Sequence, residues 1–143
     1  LDYIHSVERI SKFSNVISIN GGVQLDLMGQ ENAESIGTRQ LSGVGGQMDF
    51  LEGAYRSKGG KGFICINSSR VTKDGERKSN ILATIPGGST ISAPRTMIQY
   101  VATEYGIASL SGKTLRERAE AMASIAHPDF REELMKYAQE NFK

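Results

Sequence analysis

Apolar residues recur every three positions at Ile4, Val7, Ile10 and Phe13, which predicts a short helix over residues 3 to 13 burying one side. Val16-Ile17-Ser18-Ile19-Asn20 is short and β-branched, and after Gly21-Gly22 the stretch Val23 to Met28 alternates apolar with polar. That pattern predicts two strands around a glycine turn. Gly29-Gln30-Glu31-Asn32 reads as a second turn. Further on, Ser42-Gly43-Val44-Gly45-Gly46 precedes Met48, Phe50, Leu51, Ala54 and Tyr55 at helical spacing, a glycine-rich loop feeding a helix N-terminus.

Lys58-Gly59-Gly60-Lys61-Gly62 ends that helix, and Phe63-Ile64-Cys65-Ile66 is a continuous apolar run of the kind found in buried parallel strands. Ser69 to Lys78 is polar and charged, an exposed excursion. Ser79 to Ile85 predicts another strand, Pro86-Gly87-Gly88-Ser89 a plain turn, and Thr90-Ile91-Ser92 a continuation of the sheet up to Pro94. Gln99 to Thr103 reads as a strand. Thr114 with Glu117 three residues on forms a capping box, with Leu115, Ala119, Met122, Ala123 and Ala126 lining one face of the helix that follows. His127-Pro128 breaks it, and a last helix runs from Asp129 to Asn141 with Phe130, Leu134, Tyr137 and Ala138 inward. Strands alternating with helices define an α/β class: an open, mainly parallel sheet with flanking helices.

Composition narrows the function classes. The 143 residues suffice for one domain that buries about two-thirds of its surface. Hydrophobic residues make up 38% and the formal net charge is +1, with basic residues scattered among acidic ones, so no stripe that would track nucleic acid is visible. No apolar stretch approaches membrane-spanning length, and the N-terminus has no signal-peptide pattern. The single cysteine, Cys65, cannot form an internal disulfide, and a reducing cytoplasm is the default compartment. The chain begins at Leu1 directly in a helical-looking stretch, which points to a fragment of something longer.

The glycine loop is the main chemical candidate. Gly43, Gly45 and Gly46 allow close backbone approach, and the helix start behind them supplies free N–H groups for a phosphate, a carboxylate or a developing oxyanion. The spacing matches neither a dinucleotide fingerprint nor a P-loop, and by residue type alone a plain strand-to-helix turn is an equal alternative. Two distant histidines and one cysteine give no metal-ligand spacing. Cys65 reads as a small core residue and His127 as a cap or packing residue. Glu104 stands at a strand end, where functional residues of open sheets gather, although a hydrogen-bonded or solvated role is the commoner one. Arg95, between Pro94 and Thr96, suits a phosphate or an internal acid equally.

A set of longer motifs runs in order through almost the whole chain. Ser18-Ile19-Asn20, Gln24-Leu25-Asp26-Leu27-Met28-Gly29-Gln30, Asn32-Ala33-Glu34-Ser35-Ile36-Gly37, Gly43-Val44-Gly45-Gly46-Gln47-Met48-Asp49-Phe50, Pro94-Arg95-Thr96, Tyr100 to Ala108, and Ala126 to Arg131 together resemble the C-terminal part of the acetyl-CoA hydrolase/transferase family, most closely the 4-hydroxybutyrate and butyryl-type CoA-transferases. The resemblance implies a CoA-transferase superfamily domain over residues 1–143, one part of a longer two-domain enzyme. It further implies a ping-pong reaction through a glutamyl-CoA thioester, with CoA as a substrate and no bound cofactor or metal. The family's glutamate lies upstream of Leu1, so this chain alone is expected to be inert. By resemblance, Gly45 and Gly46 offer backbone N–H groups to the oxyanion, while Gly43 and Asn20 contact CoA or the active site. The implied partners are an acyl-CoA, a short-chain carboxylate, the N-terminal domain of the same enzyme and further copies of the chain. Hydrolysis of the acyl-CoA is the alternative activity, and a non-catalytic CoA-binding module is a third.

Overall fold

A computed structural model describes residues 3–142. In chain order the elements are α1 (Val7–Ile10), β1 (Ile17–Gly21), β2 (Gln24–Asp26), β3 (Glu31–Asn32), β4 (Ser35–Ile36), β5 (Arg39–Gln40), α2 (Gln47–Arg56) and β6 (Lys61–Cys65). They continue with β7 (Ser69–Val71), β8 (Arg77–Ser79), β9 (Ile81–Leu82), β10 (Tyr100–Thr103), β11 (Gly106–Ser109), α3 (Leu115–Ser124) and α4 (Pro128–Asn141). The main sheet has the order β1-β6-β10-β11, parallel except for β11, which returns antiparallel along β10. This is the open, mainly parallel α/β architecture expected from the sequence.

The apolar run at β6 does lie centrally between two parallel neighbours, but it is covered on one side only. Gly62 and Ile64 point into the core under Leu51 and Ala54 of α2, whereas Phe63 and Cys65 face the other way and are half-exposed. The register places Ile19, Phe63 and Tyr100 in one row of that second face, and Gly21, Cys65, Ala102 and Ile107 in the next. Ile19 and Ile107 are 70% and 63% exposed, and Phe63 stacks on Tyr100 with ring centroids 4.9 Å apart. Cys65 is therefore a residue of an open sheet face, and not a core residue.

The expected hairpin between the first two strands does not form. β1 pairs with β6, while β2 joins a separate sheet of order β3-β2-β9. Gly21-Gly22 carries the chain from one sheet to the other, and it can do so because Gly22 passes close to its neighbours: a Cβ there would lie 2.9 Å from both Glu31 Oε1 and Ile66. The true turn follows β2. Gly29, with φ +85°, closes it by donating to Asp26 O at 3.0 Å, which makes Glu31 and Asn32 strand residues instead of turn residues.

Other differences have equally local causes. The first helix is a single turn capped by Ser6, and of its periodic apolar residues Ile10 alone is buried while Ile4 and Phe13 are exposed. The excursion at 69 to 78 is a hairpin, β7-β8, and the strand expected from Ser79 to Ile85 shortens to Ile81–Leu82. Thr90 to Ser92 add no strand; the contact there is an isolated bridge between Ala93 and Glu31.

The C-terminal half follows its pattern closely. Thr114 and Glu117 form the capping box, and His127 caps α4 by accepting from Asp129 N at 3.3 Å, with Pro128 in the first turn. Leu115 is exposed, but Ala119, Met122, Ala123 and Ala126 are buried, as are Leu134 and Ala138 of α4. Arg118 is also buried. Its guanidinium donates to the backbone oxygens of Met28, Leu110 and Arg95, each at 2.8 Å, so one charged side chain ties three segments together. Among the described residues no helix is long and apolar enough to cross a membrane.

Candidate active site at the end of the main sheet

The three parallel strands end together at Gly21, Cys65 and Thr103. Ligands of open α/β sheets bind beyond this end of the strands, and a cleft of about 430 Å³ opens here, lined by Gly22, Cys65, Ile66, Asn67, Ala102 and Thr103. Just past the strand ends, Glu104 accepts from Ser68 Oγ at 2.6 Å and Ser68 N at 2.9 Å. Burial pushes the Glu104 carboxyl up, but these hydrogen bonds outweigh it and hold the group below its ordinary value.

The glycine loop adjoins the same end. Gly43 to Gly45 are exposed, Gly45 has φ +62°, and nothing lies within 4 Å of where a Cβ at Gly43 or Gly45 would point. Gly46 is the N-cap of α2 and has no side-chain cap, so the first-turn amides are not consumed by a capping side chain. His5 stands directly beside Gly46, where any Cβ would collide with its ring; its Nδ1 lies 3.4 Å from Asp49 Oδ2 and its ring meets Phe50 edge-on.

Two buried contacts connect the loop to the sheet. Gln47, the first residue of α2, donates from Nε2 to Glu31 Oε2 at 2.9 Å, and Glu31 Oε1 lies against Gly22. Gly45 and Gly46 are thus joined through Gln47 and Glu31 to the point where β1 leaves the main sheet. Asn20 is two residues before Gly22, half-buried, with its Nδ2 donating to Ser18 Oγ at 2.8 Å. Asn20 thus stands two residues before the point at which Glu31 meets the main sheet. Arg95 does not join them: its Nη1 lies 3.5 Å from Met28 Sδ and its carbonyl is held by Arg118.

Glu31 escaped the sequence reading because Gly29-Gln30-Glu31-Asn32 has the composition of a turn.

An open α/β sheet with a glycine loop and a helix start free of any side-chain cap near the ends of its parallel strands is the class of domain the fold defines. Residues 1–138 match the acetyl-CoA hydrolase/transferase C-terminal domain, and the chain belongs to that family. It is 47% identical over 139 residues to the butyryl-CoA:acetate CoA-transferase of Anaerostipes caccae, covering 97% of this chain and 31% of that protein. It is 49% identical over 142 residues to the 4-hydroxybutyrate coenzyme A transferase of Clostridium kluyveri, covering 99% of this chain and 32% of the relative. The solved structure of RipA from Yersinia pestis superposes with a TM-score of 0.85 at 40% identity, over 97% of this chain and 30% of that one. The chain thus spans about a third of the length of these relatives.

Proposed function

We propose that this chain is the C-terminal domain of a CoA-transferase that moves CoA between a short-chain acyl-CoA and a carboxylate of the butyrate, 4-hydroxybutyrate or acetate type. The observation that carries this reading is the open, uncapped start of α2 with Gly45 at its mouth, tied by Gln47 and Glu31 to the ligand-facing end of the main sheet. The names of the two curated relatives support the substrate class.

In the proposed reaction a glutamate from the upstream part of the enzyme attacks the thioester carbonyl and expels CoA thiolate, leaving an acyl-glutamyl anhydride. The thiolate then attacks the glutamyl carbonyl, releases the acyl carboxylate and forms a glutamyl-CoA thioester. An acceptor carboxylate repeats the two steps in reverse and leaves as the new acyl-CoA. Each attack places negative charge on a carbonyl oxygen, and the backbone N–H groups at Gly45 and Gly46 are suited to receive it, because fixed donors of this kind stabilise a developing oxyanion by about 3 to 4 kcal/mol. Gly43 and Asn20 flank the same region and are assigned to CoA contact.

The upstream domain is also assigned a place. The open sheet face bearing Ile17, Ile19, Phe63, Tyr100 and Ile107 is the apolar surface it would cover. Association between copies of the enzyme is part of the same proposal.

The test is acyl exchange from butyryl-CoA to labelled acetate by the full-length enzyme, with free CoA followed in parallel. Label in acetyl-CoA supports the transferase. Free CoA without exchange replaces it by a hydrolase, and neither activity replaces it by a CoA-binding module.

A further inference from the structure

Glu31 is a carboxylic acid with no exposed surface, a placement that costs free energy wherever its oxygens lack partners. Its backbone is fixed on both sides: its N–H donates to Ala93 O at 3.0 Å and its carbonyl accepts from Ser92 N at 2.8 Å. The carboxyl reaches out of this frame. Oε2 takes the Gln47 amide, and Oε1, buried and without a hydrogen-bond partner among the described residues, rests against Gly22.

The charged surroundings offer no compensation. Glu34, close along the chain, adds a like charge, and the contacts from α2 and from Gly22 are a neutral amide and backbone. The next ionisable groups along the loop are His5 and Asp49, which face each other. Burial, joined by the like charge of Glu34, drives the Glu31 carboxyl up to about 7 against the opposing Gln47 hydrogen bond. A carboxyl so raised accepts from Gln47 in either protonation state, and below neutral pH it does so without an unpaired charge in the core.

Building on the functional reading above, we infer that Glu31 is the positioning residue of the glycine loop: its carboxyl holds Gln47, and through it the Gly45 and Gly46 amides, in fixed relation to Gly22 at the end of the main sheet. Glu31 touches no reacting atom. It acts through Gln47.

The experiment uses the full-length enzyme and the variants E31Q, E31L and Q47L. Amide hydrogen exchange is read over residues 43–48, and kcat and KM for butyryl-CoA are read from pH 6 to 8. E31L is expected to speed loop exchange about tenfold and to lower kcat roughly 10- to 100-fold while KM moves less than about threefold, the signature of misplaced rather than missing binding groups. E31Q, which keeps an amide oxygen able to accept from Gln47, is expected to restore loop protection and most of kcat. Wild-type exchange and kcat in E31L overturn the inference, as does an E31Q variant as impaired as E31L. Should E31L fail to fold, Q47L decides: faster loop exchange supports the link, and unchanged exchange overturns it. An enzyme with no acyl exchange would remove the CoA-transferase reading, and the loop exchange of the variants would still decide the role of Glu31.

Discussion

Glu104, the residue that follows β10, accepts two hydrogen bonds from Ser68, one from the hydroxyl at 2.6 Å and one from the backbone N–H at 2.9 Å. Ser68 is fully buried, so the pair joins the chain leaving β6 to the chain leaving β10 across the end of the cleft. The folded state holds the Glu104 carboxyl below its ordinary value of 4.5, so its contribution to stability is complete above that pH and is lost as the pH falls through the lower folded value. Ser68→Ala is expected to lower stability by about 1 kcal/mol at pH 7 and to weaken this acid dependence. Urea midpoints between pH 3 and 7 check both; an acid slope unchanged in the variant would sever Glu104 from Ser68.

The two glycines of the loop are expected to fail differently. Gly45 sits at φ +62° with open space around it, so Gly45→Val brings about 1 to 2 kcal/mol of backbone strain and reorients the amide. Turnover in the full-length enzyme should fall about 100-fold with a thermal midpoint only a few degrees lower. Gly46→Ala instead drives a methyl into the His5 ring. Adding His5→Ala to it should recover part of the lost stability, a coupling of about 1 kcal/mol in a double-mutant cycle, and strict additivity would mean that the ring yields freely.

The open face of the main sheet offers a test of the proposed upstream domain. Ile19 is 70% exposed here, and Ile19→Lys should change the stability of the isolated chain by less than about 0.5 kcal/mol. In the full-length enzyme, where the proposal places the upstream domain on that face, the same change should cost about 2 to 4 kcal/mol. Equal effects in the two settings would leave the face uncovered.

What could be read from the sequence was what local patterning dictates. Thr114 and Glu117 signal their own capping box three residues apart, and the short apolar run Phe63 to Ile66 signals a strand, although only its alternate residues Ile64 and Ile66 are buried. The glycine loop and α2 followed the same logic. Pairing partners were not legible in this way: Gly21-Gly22 between two β-rich stretches has the form of a hairpin turn, and only the finished packing sends β2 to pair with β9, far along the chain. The same holds for Ser68 with Glu104, 36 residues apart, and for Arg118, whose amphipathic helix gives no hint that a guanidinium would be buried among carbonyls 8 to 90 residues away. Of the candidate site, Gly43, Gly45 and Gly46 stand out because glycine is visible as a type, and Asn20 enters only through the family resemblance. Glu31 does neither, because burial of a carboxylate contradicts the residue's average behaviour.

That same burial gives Glu31 a pH signature of its own. Its folded value of about 7 lies above the ordinary 4.5, so the folded chain holds the proton more tightly than the unfolded chain does. The stabilisation is complete below pH 4.5, declines as the pH rises from 4.5 to 7, and is gone above 7, a span of about 3 kcal/mol for a shift of this size. Glu31→Gln removes the titration while keeping an amide able to meet Gln47. The variant is therefore expected to be less stable than the native protein at pH 5, relative to their order at pH 8, and its stability should run nearly flat across that range apart from the contributions of other groups. Urea midpoints of both proteins at pH 5, 6, 7 and 8 give the comparison directly. Parallel curves for the two would mean that the Glu31 carboxyl ionises as freely in the folded chain as in water, which its contact with Gly22 and its lack of exposed surface do not allow.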